Sequence, residues 1–329
     1  MARSAKWERV EAALKGAPVD RVPFGFWMHF PRIDRDVRKL AEATVDLHRR
    51  YDQDFCKVMF RSSWCVEDWG GTSDRFHPTR GYWLPKKFVV TSPDDWARLP
   101  SLDVSQGVLG EQLELLRQVA AALQGDAPIL ATLFAPSMVA AHLAGEETFR
   151  RHLRENPDAL HAGLRTISAM LIAFAQACLH NGADGVFYAI QHASRRLLTD
   201  AEYQSIGRAY DRPVLEAFHG DSRLTMLHLH GEELMFDEVA TYPAHVLNWY
   251  DRFDGPSLRA ARAKVSTCLA GGIDHERNLV LGMPNEIATE VRDAINQVNG
   301  RGLLLAPGCG VPLIVSDENL QAARQAALD

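Results

Sequence analysis

Leu224-Thr225-Met226-Leu227-His228-Leu229-His230-Gly231 decides how the chain is read. The run is short and apolar, the length of one buried strand rather than a helix, and a glycine stops it. Two histidines one residue apart stand at its end. Alternate side chains of a strand point to opposite faces, so His228 and His230 project from the same one, a spacing that suits capture of a single metal ion. Near the C-terminus the run at 303–307 closes in the same way, in Ala306-Pro307-Gly308-Cys309-Gly310. Its flanking glycines let the backbone approach closely and leave the sulfur accessible. Two imidazoles and a thiolate would make a three-ligand zinc site with one position open, provided that both runs are strands ending on the same side of one fold. The alternatives are a hydrogen-bonded histidine pair at a polar barrel end and a cysteine that is only a small turn residue.

Working outward, six further runs share the character of 224–230 and 303–307, at residues 22–29, 55–60, 129–134, 185–190, 245–250 and 267–273. Helical periodicity fills most of the intervals and is clearest at 146–180, broken near Pro157, and at 200–218, 284–298 and 317–327. Thr199 and Ser316 stand as N-caps before acidic first turns. Strands alternating with helices imply parallel pairing through right-handed crossovers, and eight such units imply closure. The expected fold class is therefore α/β, a (β/α)8 TIM barrel forming one domain over 1–329, with an inserted segment after the second strand. No GxGxxG follows the first strand, which speaks against a dinucleotide fold. Residues 61–127 are too long for one connection, and Trp64, Trp69, Trp83 and Trp96 within them point to a structured lid or wall over the barrel mouth.

The formal net charge of −6, with no basic block, argues against nucleic acid or an anionic membrane as partner and in favour of a small-molecule substrate. Cys56, Cys65, Cys178, Cys268 and Cys309 form an odd set without CxxC spacing, as expected of reduced thiols in a cytoplasmic protein. Met1-Ala2-Arg3-Ser4-Ala5-Lys6 lacks an apolar signal core, and no run approaches the roughly 20 apolar residues that span a bilayer.

Catalytic groups of such barrels come from the C-terminal strand ends and the loops after them. His29 ends the first strand, Glu67 and Asp68 follow the second, and Gln191 and His192 follow the fourth. His29, Glu67 and His192 are candidates for acid/base work, and Asp68 and Gln191 for substrate contact. Asp251 closes the sixth strand, where it would supply an oxygen beside the histidines or pair with Arg252. Arg195 and Arg196 would hold a carboxylate or phosphate, or stand solvated at the start of a helix.

Four ordered segments resemble the uroporphyrinogen decarboxylase superfamily, including its zinc-dependent methyltransferase branch that serves corrinoid proteins. They are Leu14-Lys15-Gly16-Ala17-Pro18-Val19-Asp20-Arg21-Val22-Pro23, Gly182-Ala183-Asp184-Gly185, Gly271-Gly272-Ile273-Asp274 and Ala306-Pro307-Gly308-Cys309-Gly310-Val311-Pro312. The resemblance covers nearly the whole chain and independently implies the barrel. Decarboxylase members place paired arginines after the first strand, whereas Trp27-Met28-His29-Phe30-Pro31-Arg32 keeps only Arg32 at a comparable place, as a candidate for substrate binding. Their substrate-facing aspartate has no clear counterpart in 61–68. The methyltransferase branch carries His-x-Cys-Gly after the fifth strand and Pro-Gly-Cys-Gly after the eighth. The resemblance thus implies His228 and Cys309 as zinc ligands, His230 in place of the middle cysteine, and Asp251 near a carboxylate that can complete the sphere.

The same resemblance implies an enzyme using Zn2+ to activate a thiol acceptor toward a methyl group from a corrinoid or a small methylated donor. An imidazole in place of a thiolate makes the centre less electron-rich, a stronger Lewis acid holding a weaker nucleophile. That exchange would suit another acceptor, or a hydrolytic or lyase reaction. No Asp-x-His-x-x-Gly signature is present, so a corrinoid would arrive free or on a separate protein. The resemblance also admits a homodimer. Two rival readings are a metal-independent decarboxylase of a carboxylated pyrrole-like substrate, using Glu67 or Asp68, and a non-catalytic barrel that binds a corrinoid or tetrapyrrole.

Overall fold

The computed structural model describes residues 4–328; residues 1–3 of the N-terminal stretch and residue 329 lie outside the described residues. The strands are β1 Cys56–Val58, β2 Thr72–Phe76, β3 Trp83–Lys87, β4 Ile129–Phe134, β5 Gly185–Ile190, β6 Leu224–Leu229, β7 Val246–Asn248, β8 Cys268–Ile273 and β9 Leu303–Pro307. Seven of them form one sheet in the order β1-β4-β5-β6-β7-β8-β9, every pairing parallel. Helices on the outside bury the second face, so β5, β6, β8 and β9 are buried along their whole length. This double burial is why they read as unbroken apolar runs.

Alternation along β6 splits its side chains between two cores. Leu224 and Met226 join an inner cluster with Trp27, Phe187 and Leu304, while Leu227 and Leu229 join the outer cluster between sheet and helices. His228 continues the inward series. The inner cluster also takes in Val10 and Ala13 of the first helix, α1 Ala5–Leu14, which therefore plugs the N-terminal end of the barrel. Ser4 caps α1 by accepting a hydrogen bond from the Trp7 N–H at 3.2 Å.

The expected first strand departs from a regular one. Residues 22–29 are extended but pair through one bridge, Phe24 with Leu305. The segment fills the gap between β9 and β1. On the β9 side the Leu305 N–H donates to the Pro23 carbonyl at 2.7 Å, and the Gly25 N–H to the Leu305 carbonyl at 3.1 Å. On the β1 side the Phe24 and Phe26 N–H groups donate to Asp54 Oδ2 at 2.9 Å and Gln53 Oε1 at 2.7 Å. One backbone bond remains there, from the Asp54 N–H to the Phe24 carbonyl at 2.8 Å; side chains take the place of the rest of the ladder, and Pro23 has no N–H to offer one. Seven regular strands and one irregular segment thus make a TIM-barrel-like (β/α)8 fold. β1 and β7 are also shorter than the runs at 55–60 and 245–250 from which they were expected.

Six of the helices are α1 and α2 Val37–Arg50, α4 Gly107–Leu123, α5 Pro136–Ala144, α6 Glu146–Glu155 and α7 Pro157–His180, with the short α3 Trp64–Glu67 between α2 and α4. The break expected near Pro157 is the junction of α6 and α7. Thr199 forms a full capping box with Glu202, and Ser316 accepts from the Asn319 N–H at 3.2 Å. By length and composition α7 is apolar enough to cross a membrane, but Leu160, Leu164, Ile167, Leu171 and Phe174 place one side of it in the core.

Residues 61–127 do reach the mouth. β2 and β3 form an antiparallel hairpin whose tip meets the loops after β8 and β9, through Arg80 to Glu276 at 2.5 Å and the Leu313 N–H to the Thr79 carbonyl at 2.7 Å. Tryptophans anchor the excursion. Trp64 and Trp96 are fully buried, Trp69 Nε1 donates to the Pro100 carbonyl at 2.9 Å, and Trp83 Nε1 to Asp34 Oδ2 at 2.9 Å.

Candidate metal centre

Parallel register sets His228 beside Asn248 of β7, and Asn248 beside Ala270 of β8. Asn248 Nδ2 donates to the carbonyls of Ala270 at 3.0 Å and Pro307 at 3.2 Å, which identifies its other terminal atom as the oxygen. That oxygen lies 2.6 Å from His228 Nδ1. The acceptor fixes the tautomer: Nδ1 carries the proton and Nε2 keeps its lone pair. Nε2 is buried and has no hydrogen-bond partner. A buried acceptor left unmatched costs about 1–3 kcal/mol, and this one is free to take a ligand.

His230 and Cys309 supply the neighbours. Ligand atoms of His228, His230 and Cys309 all lie within 4.8 Å of one another. His230 Nδ1 is 3.7 Å from Cys309 Sγ and 3.1 Å from the Tyr250 hydroxyl. Burial by itself would raise the Cys309 thiol, but a hydrogen bond and charge from His228 and then from His230, when these imidazoles are protonated, would outweigh it and hold it well below the ordinary thiol range. Of the two glycines flanking Cys309, only Gly308 is tightly packed. A Cβ there would come within 3.1 Å of the Tyr250 backbone and 3.3 Å of His275 Nδ1. Two nitrogens and a sulfur, one nitrogen oriented by an amide and otherwise unpartnered, fit the donor set and coordination number of zinc.

The other residues read from the sequence are not among the three clustered ligands. Asp251 is buried and falls outside the cluster; its Oδ1 accepts from the Gly272 N–H at 2.9 Å and Arg252 approaches to 3.6 Å. A Cβ on Gly271 would meet that oxygen at 2.5 Å, which explains one glycine of the Gly271-Gly272 pair. Burial pushes the Asp251 carboxyl up to about 6. Glu67 is held by Ser63 and by Arg61 at 3.1 Å. Asp68 takes the N–H groups of Val108 and Leu109 at 2.8 and 2.9 Å and so caps α4. His192 is fully buried between Ser137 Oγ at 3.1 Å and Glu146 Oε2 at 3.2 Å. Arg195 pairs with Asp200 at 2.8 Å on the surface, Arg32 is exposed, and Gln191 is half-buried after β5. His29 is half-buried; burial, then the charge of Lys57, pushes its imidazole down to about 4.

Sequence reading overlooked Asn248, Tyr250 and Lys57. Asn248 and Lys57 carried a signal, each being a polar residue at an inward position of an apolar run.

Similarity to known proteins runs along nearly the whole chain. A methylcobamide:CoM methyltransferase of Methanosarcina acetivorans is 23% identical over 328 residues, covering 95% of each chain. A uroporphyrinogen decarboxylase of Pseudomonas aeruginosa is 25% identical over 261 residues, covering 76% of this chain and 71% of the relative. A methyltransferase structure from Methanosarcina mazei superposes with a TM-score of 0.82 at 22% identity, over 99% of this chain and 98% of that one, and shows the same fold. The profile described as uroporphyrinogen decarboxylase (URO-D) matches residues 5–328, so the chain belongs to the uroporphyrinogen decarboxylase family.

Proposed function

We propose that the chain is a zinc-dependent methyltransferase that moves a methyl group between a corrinoid, or a small methylated donor, and a thiol. The observation that carries this reading is the convergence of His228, His230 and Cys309, whose ligand atoms all lie within 4.8 Å of one another, with the buried Nε2 of His228 unmatched. Full-length similarity to methylcobamide:CoM methyltransferases supports methyl transfer as the reaction class.

His228, His230 and Cys309 would hold the metal. Bound zinc supplies a Lewis acid that lowers the pKa of an acceptor thiol. Asn248 keeps the His228 lone pair aimed at the centre. Tyr250, its hydroxyl pushed up by burial and then by Cys309, stays protonated, 3.1 Å from His230 Nδ1. Phe187, stacked on His228 with ring centroids 5.1 Å apart, excludes water from one side. Gln191 and His29 border the same end of the barrel. The corrinoid would come from outside the chain, free or on a separate protein, and the reaction would run in the cytoplasm.

A metal-independent decarboxylase would need a free carboxyl at the mouth, yet Glu67 is held by Ser63 and Arg61, and Asp68 is spent on capping α4. The test is demethylation of methylcobalamin by a panel of small thiols, followed by the loss of its cobalt–carbon absorption. Thiol-dependent turnover that disappears on chelation and returns with zinc is expected. Turnover that survives chelation would overturn the reading.

A further inference from the structure

On the outer side of the sheet, between β5 and the helices, Asp211 is fully buried, and among the described residues no cation stands within ion-pair distance of it. Each of its oxygens meets one phenol: Tyr188 of β5 donates to Oδ1 at 3.2 Å, and Tyr203 to Oδ2 at 3.1 Å. Tyr242, in the turn leading to β7, donates to the Tyr203 hydroxyl at 3.1 Å. Neutral donors reduce the cost of burying a carboxylate but do not cancel it, so the closed structure favours the protonated form. Burial pushes this carboxyl up to about 7, against the pull of the two phenols. The charged neighbours are engaged elsewhere. Arg208 and Glu238, which act on Tyr242, pair at 3.1 Å, and Arg212 pairs with Glu216 at 3.1 Å. From α7, His161 meets the Tyr210 hydroxyl at 2.8 Å and Arg165 acts on the same phenol; His142 of α5 meets Cys65.

The same residues hold an irregular helical arm. α8 Asp200–Tyr203 passes through one π-helical turn, Gln204–Arg208, into α9 Ala209–His219. Tyr203 precedes that turn and Asp211 follows it, so their hydrogen bond spans it. A Cβ on Gly207 would collide with the Tyr203 ring, which reserves the position for glycine. Pro213 has no N–H for the Ala209 carbonyl, so the arm is short of backbone bonds on both sides of Asp211. Through Tyr188 the carboxyl grips β5, the strand whose Phe187 stacks on His228, and the loop 191–199 joins the arm to the end of that strand.

We propose that Asp211, with Tyr188, Tyr203 and Tyr242, is a proton-operated latch: the protonated carboxyl clamps the arm 200–219 to β5, and ionisation loosens the arm together with the loop 191–199. The latch is independent of the chemistry at the metal centre. Between 3.8, the ordinary carboxyl value, and about 7 the closed arm holds a proton that the open arm releases, so closure weakens as pH rises and levels off above that window. Amide hydrogen exchange of the full chain, corrected for the intrinsic rate and followed from about pH 5 to about pH 9, reads this directly. In wild type the protection of 200–219 is expected to fall by up to about tenfold per pH unit as far as about pH 7 and then to level off, the mark of a single proton. The helix Pro284–Gln297, remote in sequence, should show no such slope. Asp211→Asn, neutral throughout, should abolish the slope in the arm. Tyr203→Phe removes one donor from the ionised form and should move the levelling-off to higher pH, and it carries the test if Asp211→Asn does not fold. A wild-type arm whose protection does not change with pH, a slope that persists in Asp211→Asn, a levelling-off unmoved in Tyr203→Phe, or an equal fall in Pro284–Gln297 would each overturn the latch.

Discussion

Two buried polar groups at opposite ends of the barrel, Asp54 and His228, are handled in opposite ways. Below β1, Asp54 is fully buried and every demand it makes is met: Arg9 at 2.6 Å, Arg21 at 2.5 Å and the Phe24 N–H at 2.9 Å. Arg9 also holds Asp20 at 2.6 Å, and that hydrogen bond keeps the Asp20 carboxyl down at about 2. At the opposite end, among the described residues, His228 Nε2 and Asp251 Oδ2 have no hydrogen bond and the buried Lys57 has no carboxylate within ion-pair distance. Around Asp54 satisfied burial closes the barrel; at His228 the unmatched lone pair stands where a metal could complete it.

That contrast can be broken in steps of decreasing size. Asp54→Ala strands Arg21 and an N–H in the seam and takes one of its two carboxylates from Arg9, so chemical denaturation should show a loss of about 3–5 kcal/mol, with no direct effect on metal affinity in the folded protein. Asn248→Ala leaves the fold but frees the His228 ring, and competitive chelator titration should show zinc affinity down by roughly 10–100-fold. Should zinc bind as tightly, the amide does not orient the ligand.

Lys57→Met should have the opposite sign and raise stability by about 1–2 kcal/mol at neutral pH, because it removes an unmatched charge. Burial lowers the Lys57 amine from 10.5 to about 7. Between those values the unfolded chain holds the extra proton, so wild-type stability rises with pH across that window. The advantage of the variant is therefore full below about pH 7 and fades above it, as melting curves over that range would show. A constant advantage at all pH values would remove charge as its cause. Asp68→Ala is the smallest step, a lost cap worth about 1 kcal/mol, with turnover unchanged. A collapse of turnover with zinc retained would return this carboxylate to the chemistry.

Most of the barrel was legible because a strand buried on both faces has to be written in apolar residues, as 185–190 and 224–229 are. The pair His228 and His230 was legible because period two needs no tertiary knowledge. Residues 22–29 misled because their apolar content is that of a strand, while on the β1 side their hydrogen-bond acceptors, Asp54 and Gln53, are side chains about 30 residues away. Asp68 and His192 sit after strands, where the position rule points to substrate, yet their partners in α4, α5 and α6 lie outside any local pattern. Lys57 was visible as a lysine inside an apolar run; attention to strand ends passed over it.

X-ray absorption at the zinc edge of the loaded protein tests the central claim most directly. One sulfur at ~2.3 Å and two imidazole nitrogens at ~2.0 Å are expected, with the sulfur shell absent in Cys309→Ser. A zinc shell without sulfur in the wild type, or the same shell in both proteins, would contradict the account.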